Sequence, residues 1–412
     1  MALLAQLVPI VIYLVAVRFA VRRLQGVGRE IMFAGLNVAG YYFFFVHGAD
    51  NRYAHIFLIY GLLVLVQFAT LRFFADKNGW LPWIAFSMPL LALIVIRYVP
   101  PVYFVGWNSS LRPTLLENPA FTYAPYFIGL SYLAFRTSHL VLEVRNGTVK
   151  KPGFWEYVGF CFFVPTMPVG PINPYRNFRR AFEPVPPAIP AGRAGLRILV
   201  GVVKYKFLGT IFNELTYSSL LLDGHYHHWM DLPVAMLFFY LYLYCNFSGF
   251  CDLAIGAAGL MGIPVAENFN NPFAARNVKD FWNRWHITLS SWMRDVVFSP
   301  LSKFLVHVMG VRLADHAIAL TIAIVFLLVG VWHGVGWNFA ALGTVHAVGV
   351  VTNHYYTIFL KKRLGREGFK AYNENPWIRA VAVALTFFYC GASMIFFANT
   401  FPQIREIFAS LR

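Results

Sequence analysis

Two histidines stand where imidazoles are rarely placed without a task. The stretch Ala275–Pro300, reading ARNVKDFWNRWHITLSSWMRDVVFSP, is charged, tryptophan-rich and carries His286, inside a chain that is otherwise mostly lipid-soluble. After the uncharged run Ala317–Val331 comes a second one, in Trp332-His333-Gly334-Val335-Gly336-Trp337. Ionisable side chains at membrane depth are costly and mark functional paths or sites. A neutral imidazole in a low-dielectric pocket is suited to general-base work at neutral pH. Glycines 330, 334 and 336 leave the backbone beside His333 open to a ligand. A helical rise of 1.5 Å per residue puts His333 roughly 27 Å beyond Asp315, deep or near the opposite face. The plainer reading is a histidine that hydrogen-bonds a neighbouring helix.

The elements that must hold these groups follow from periodicity. Wound as one helix, Lys279–Met293 places Lys279, Asn283, His286 and Ser290 on a polar stripe beside an apolar stripe of Trp282, Trp285, Leu289 and Trp292. Such a helix lies against a bundle or in the interface plane, with its tryptophans at headgroup level and its polar stripe toward a cavity. Taken alone, it also fits a plain interfacial helix.

Composition sets the surroundings. Of 412 residues, 58% are hydrophobic, 18% aromatic and only 13% charged, and the mean hydropathy is +0.58. That balance excludes an ordinary soluble domain. Segments 3–17, 31–46, 56–69, 81–96, 126–142, 154–169, 194–212, 232–261, 317–331, 339–360 and 378–398 read as spanning or embedded, roughly ten in all. The fold expected is an all-α polytopic membrane protein. Leu3–Val17 lacks a basic leader and an A-x-A site, and reads as a retained span. The net charge of +16 points to the positive-inside rule and anionic headgroups, with no nucleic acid implied. Basic linkers (Arg18, Arg22, Arg23 and Arg29; Glu143–Lys151; Lys361–Lys370) alternate with one holding only Asp50 and Arg52. If the basic ones are cytoplasmic, the N-terminus lies outside.

Two stretches interrupt the helices. Pro171–Arg193 holds six prolines, and Phe163–Pro171 three in an apolar setting, as either a re-entrant hairpin lining a funnel or a loop at the membrane edge. Asn246–Asp280 reads as a second irregular region, where Gly256, Gly259 and Gly262 permit close helix approach. Within it Asp252 reads as a structural hydrogen-bonding residue. Cys161, Cys245, Cys251 and Cys390 read as small hydrophobes of membrane helices. His225, His227 and His228 form a cluster expected in an exposed loop, and no metal site is expected. Sequons at Asn108, Asn146 and Asn246 decide nothing.

The combination Phe281-Trp-Asn-Arg-Trp-His286, Leu289-Ser-Ser-Trp292-Met-Arg294-Asp295 and Trp332-His333-Gly334, with Glu267-Asn-Phe-Asn-Asn-Pro-Phe273, resembles the membrane-bound O-acyltransferase family, over about residue 128 to the C-terminus. Gly129–Arg136, Glu143–Gly147, Phe163–Thr166 and Gly170–Ile172 look like the branch that D-alanylates teichoic acids. Phe247–Gly256 looks more like the alginate O-acetylation branch. The resemblance implies one acyltransferase domain over 1–412, with peripheral helices in 1–125, a catalytic core in 126–360 and a basic loop and last helix in 361–412. It implies re-entrant and interfacial helices around a central funnel. His333 matches the family's catalytic histidine and His286 its second functional polar position. Trp282, Asn283, Arg284, Trp285, Ser290 and Trp332 are the expected substrate-binding set. The reaction implied moves a D-alanyl or acetyl group from a thioester to a hydroxyl. The donor would be a phosphopantetheine-linked acyl carrier protein on the cytoplasmic side, with no cofactor bound to this chain. The acceptor would be an envelope polymer, or an intermediate carrier, outside a bacterial cytoplasmic membrane. A transporter or flippase for an envelope precursor is the alternative, since broken helices around a midplane histidine also suit translocation. A non-catalytic scaffold for an envelope-modifying complex is the third reading.

Overall fold

A chain in hydrocarbon must pair its own backbone, and a helix does so within one segment. The computed structural model describes residues 2–47, 54–99, 128–334 and 336–412, and among them the secondary structure is helical, with no strand. The Asp50–Arg52 linker, the Asn108 sequon and the start of the 126–142 segment lie outside the described residues. Among the described residues, five helices are long and apolar enough to cross a bilayer: Ile56–Phe74, Leu81–Tyr98, Asp231–Met261, Val311–His333 and Pro376–Ala398. The protein is an integral membrane protein.

The chain divides into two compact units, Met1–Gly201 with Phe250–Ala266, and Val202–Gly249 with Glu267–Arg412. The first contains α1 (Ala2–Arg23), α2 (Gly26–Tyr41), α3 (Ala54–Phe74), α4 (Leu81–Tyr98), α5 (Leu130–Arg145), α6 (Phe154–Cys161) and α7 (Ala191–Val202). Its core is aromatic, with Phe33, Tyr41, Tyr60, Tyr157, Phe160, Phe163 and Phe178 buried. Ile12, Leu58, Leu62 and Phe73 are exposed, as side chains solvated by lipid would be. Two amide side chains inside it tie elements together. Asn37 Oδ1 accepts from the Tyr13 hydroxyl (2.7 Å) and the Val164 N–H (3.3 Å), and Gln67 Nε2 donates to the Ala85 carbonyl (2.8 Å).

Two expectations are corrected in this unit. The segment 154–169 is not one helix: α6 ends at Cys161, and Val164–Thr166 forms a single 3-10 turn, because Pro165 and Pro168 cannot continue it. The turn is buried rather than a loop at the membrane edge, with Phe163, Thr166 and Met167 almost fully covered. Arg136 of α5, itself buried, donates to the Cys161 carbonyl and to Thr166 Oγ1 (3.1 Å), contacts Met167 Sδ (2.7 Å) and lies over the Phe160 ring. The second correction concerns Asn246–Met261, which is helical throughout, within α8 (Asp231–Met261). No proline interrupts it, and irregular backbone begins only at Gly262, with φ 85°. Gly256 fits against Ile198 and the Ala194 carbonyl of α7, where a Cβ would stand 2.6 and 2.9 Å from them. Asp252 pairs with Arg197 of α7 (2.9 Å), the structural role expected of it.

The second unit is built on α9 (Val278–Trp282), α10 (Ile287–Met293), α11 (Ala314–His333), α12 (Trp337–Glu374) and α13 (Pro376–Ser393), with the first part of α8. Helices α11 and α12 form a hairpin whose backbones nearly touch. A Cβ on Gly330 would collide with the Phe339 carbonyl, and one on Gly343 with the Phe326 carbonyl. α12 bends at Gly365 (φ 68°), inside the basic stretch Lys361–Lys370. His227 Nε2 lies 2.9 Å from Asp223 in a short surface loop, and the four cysteines are buried and form no disulfide.

Gly343→Ala should lower stability by about 1–3 kcal/mol, since a methyl forced into a packed contact moves backbone. The apparent melting temperature in detergent should fall, while Gly35→Ala, with open space around its Cβ position, stays level or rises. Equal melting of Gly343→Ala and wild type would contradict the close approach.

Candidate active site

The expected single helix over Lys279–Met293 is in fact two, α9 and α10, broken at His286. Its backbone sits in the left-handed region, φ 45° and ψ 51°. That conformation is uncommon for a residue with a Cβ and concentrates at functional sites. The residues Glu267–Phe273 explain how it is held. They run alongside Arg284–Ile287, with the Asn270 N–H donating to the Arg284 carbonyl (2.9 Å) and the Ile287 N–H to the Asn268 carbonyl (3.0 Å). The Asn268 carboxamide completes the clamp. Its Oδ1 accepts from the Thr288 N–H (3.1 Å) and the Thr288 hydroxyl (2.7 Å), and lies 3.3 Å from His286 Nδ1.

This arrangement fixes a tautomer. A backbone N–H can only donate, so the Asn268 atom facing Thr288 is the oxygen. His286 Nδ1 must then carry the proton it shares with that oxygen. Nε2 is left as the lone-pair nitrogen of the neutral ring. His286 is only 4% exposed. Burial first, and then the neighbouring His333, push its pKa down to about 3, so the ring is neutral at physiological pH.

His333 ends α11, where Gly334 continues in extended backbone. Trp332 bridges the pair, its ring centroid 6.2 Å from that of His286 and 4.7 Å from that of His333. Both histidines line one cavity of about 60 Å³ together with Trp282, Trp285, Phe247, Phe281 and Phe397. Phe247 meets His286 edge-on at 4.8 Å, and Phe397 meets His333 at 5.1 Å. An imidazole pair in so apolar a lining has the makings of a site for proton transfer shielded from water.

The remaining expected site residues fall in three places. Trp282 and Trp285 line the histidine cavity. Asn283 and Ser290 line a separate cavity of about 480 Å³, with Lys279 and Met293. Arg284 is occupied elsewhere, pairing with Asp280 (2.8 Å). Two residues of the site were not anticipated. Asn268 gave only its place in the Glu267–Phe273 stretch as a signal. His346 lines the same cavity as His286 and His333, and its signal was an imidazole inside the apolar run 339–360. Among the described residues, no three His, Cys, Asp or Glu side chains are grouped as metal ligands would be.

An apolar helical bundle that brings two histidines to one cavity accords with the resemblance to the membrane-bound O-acyltransferase family. The family's profile matches residues 81–396, and the chain belongs to it. It is an O-acyltransferase. Among its relatives, the teichoic acid D-alanyltransferase of Bacillus subtilis is 32% identical over 74% of this chain and 77% of its own length. That of Streptococcus thermophilus is 28% identical over 75% and 73%. A probable alginate O-acetylase of Pseudomonas aeruginosa is 26% identical over 77% of this chain and 56% of its own length.

Asn268→Ala should reduce turnover about 10–100-fold, because it strands the buried Thr288 N–H and frees the His286 tautomer. Undiminished turnover in folded protein would exclude the clamp. A pH effect follows as well. Unfolded, His286 takes up a proton near pH 6.5; folded, it resists protonation down to about 3. Its contribution is therefore present above pH 6.5 and is lost as pH falls, at about 1.4 kcal/mol per pH unit. His286→Gln should show a shallower fall in apparent melting temperature between pH 6.5 and 4.5; identical slopes would refute it.

Proposed function

We propose that this enzyme transfers a small activated acyl group, D-alanyl or acetyl, from a thioester to a hydroxyl of an extracytoplasmic envelope glycopolymer or of an intermediate carrier. The observation that supports the reading best is the shared cavity of His286 and His333. In the proposed reaction His333 takes the proton of the acceptor hydroxyl as its oxygen attacks the thioester carbonyl carbon. The tetrahedral intermediate collapses, the C–S bond breaks, and the protonated imidazole returns the proton to the leaving thiolate. His286 presents a lone pair at Nε2, which fits orienting the acceptor hydroxyl better than donating to the oxyanion. Direct transfer is preferred, since all four cysteines are buried and no activated nucleophile is apparent in the sequence.

The names of the relatives, teichoic acid D-alanyltransferase and probable alginate O-acetylase, support an acyl group of this size and an envelope polymer as acceptor. We infer that the donor is a phosphopantetheine-linked acyl carrier protein. The basic stretch Lys361–Lys370 offers an acidic carrier a cytoplasmic docking surface. The enzyme would sit in a bacterial cytoplasmic membrane as one acyltransferase domain, its roughly ten helices surrounding a central funnel.

His333→Ala in purified protein, given a labelled acyl thioester and a poly(glycerol phosphate) acceptor, should lose about 10²–10⁴-fold in ester formation. Ester made at the wild-type rate would remove His333 as the base. Vectorial movement of substrate with no new ester would favour a transporter.

A further inference from the structure

The histidine cavity and the 480 Å³ cavity beside it share three lining residues, Trp282, Phe326 and Val329. The Trp282 and Phe326 rings meet nearly edge-to-face at 5.2 Å. Beyond them the larger space has an apolar side, formed by Leu289, Met293, Ile322, Val325 and Val350, and a polar side that includes Lys279, Asn283, Arg294 and Lys361. Its apolar side would accept a hydrocarbon chain that a 60 Å³ chamber cannot hold. What separates a small-acyl site from a long-acyl site is thus one indole and one phenyl ring.

The indole is not free to swing. Trp282 Nε1 donates to His346 Nδ1 (3.2 Å), and His346 Nε2 faces Ser393 Oγ (3.1 Å), whose hydroxyl donates to the Cys390 carbonyl (2.7 Å). The single Ser393 proton is spent on that carbonyl, so Ser393 Oγ accepts from His346 Nε2–H. Every group in this chain points one way, from Trp282 through His346 and Ser393 to backbone. With both ring nitrogens engaged, His346 is a positioning residue and not a second base. Its ring also lies near-parallel to Phe326, at 6.3 Å, and so braces both halves of the wall.

We propose that Trp282, pinned by the His346–Ser393 relay and backed by Phe326, is the determinant that restricts this enzyme to short acyl groups. The inference rests on the acyltransferase reading given above. Its test uses the full chain in detergent with D-alanyl-, acetyl-, butyryl- and octanoyl-pantetheine and poly(glycerol phosphate), scored as the ratio of octanoyl to acetyl kcat/KM. Each methylene accommodated in an apolar pocket is worth about ten-fold or more, so Trp282→Leu should raise that ratio at least about ten-fold. Phe326→Ala, opening the wall from its other side, should do the same, which covers the case in which one variant does not fold. His346→Leu should relax the ratio, and His346→Asn, whose Oδ1 can replace Nδ1 as acceptor, should restore it. A ratio unchanged in both Trp282→Leu and Phe326→Ala, read at whatever acetyl rate each retains, overturns the partition and leaves the acyltransferase reading standing. Wild-type protein that forms no ester from any donor overturns both.

Discussion

The site depends on one carboxamide oxygen. In a medium that offers no water, the Thr288 N–H, the Thr288 hydroxyl and the His286 Nδ1 proton must find acceptors within the protein, and Asn268 Oδ1 serves all three. That convergence ties the backbone of the Glu267–Phe273 stretch to the break between α9 and α10. It supports His286 in a left-handed conformation that a residue with a side chain adopts only under constraint. The orientation of the imidazole, its tautomer and the apolar walls around it all follow. The role proposed for this neutral ring calls for such an arrangement to be in place before substrate arrives.

The same rule governs the first unit. Asn37 joins α2 to the Val164–Thr166 turn, and Gln67 joins α3 to α4. Each is a polar side chain buried among rings, and each satisfies backbone that proline or helix ends have left open. In the second unit, close approach plays the complementary part. Gly330 and Gly343 let α11 and α12 meet backbone to backbone, and so bring His333 and His346 to one cavity from two helices.

Much of this was legible in the residues. The polytopic class followed from composition, and the family from the resemblance of the Trp-His motifs to those of its members. His286 and His333, far apart in sequence, do reach one cavity. The failures share a cause: periodicity describes a helix face but not the tertiary contacts that interrupt or sustain it. Lys279–Met293 looked helical throughout because the stretch that breaks it, around Asn268, lies upstream in sequence. Asn246–Asp252 looked irregular because Asn, Ser and Gly are poor helix formers, yet packing carried α8 through them. Asn283 and Ser290 did share a cavity, although not the one with the histidines. His346 escaped notice because a histidine that accepts from one side chain and donates to another has the same sequence appearance as any buried histidine.

Arg136 has a consequence for how the chain reaches the bilayer. Its partners are a carbonyl, a hydroxyl, a thioether and the face of a phenyl ring, all supplied by residues 160–167. A guanidinium keeps its charge under all biological conditions, so α5 cannot pack into an apolar core until those groups have gathered around it. Docking of α5 and closure of the following turn are therefore coupled in folding. Losing the turn would leave a buried cation without its partners.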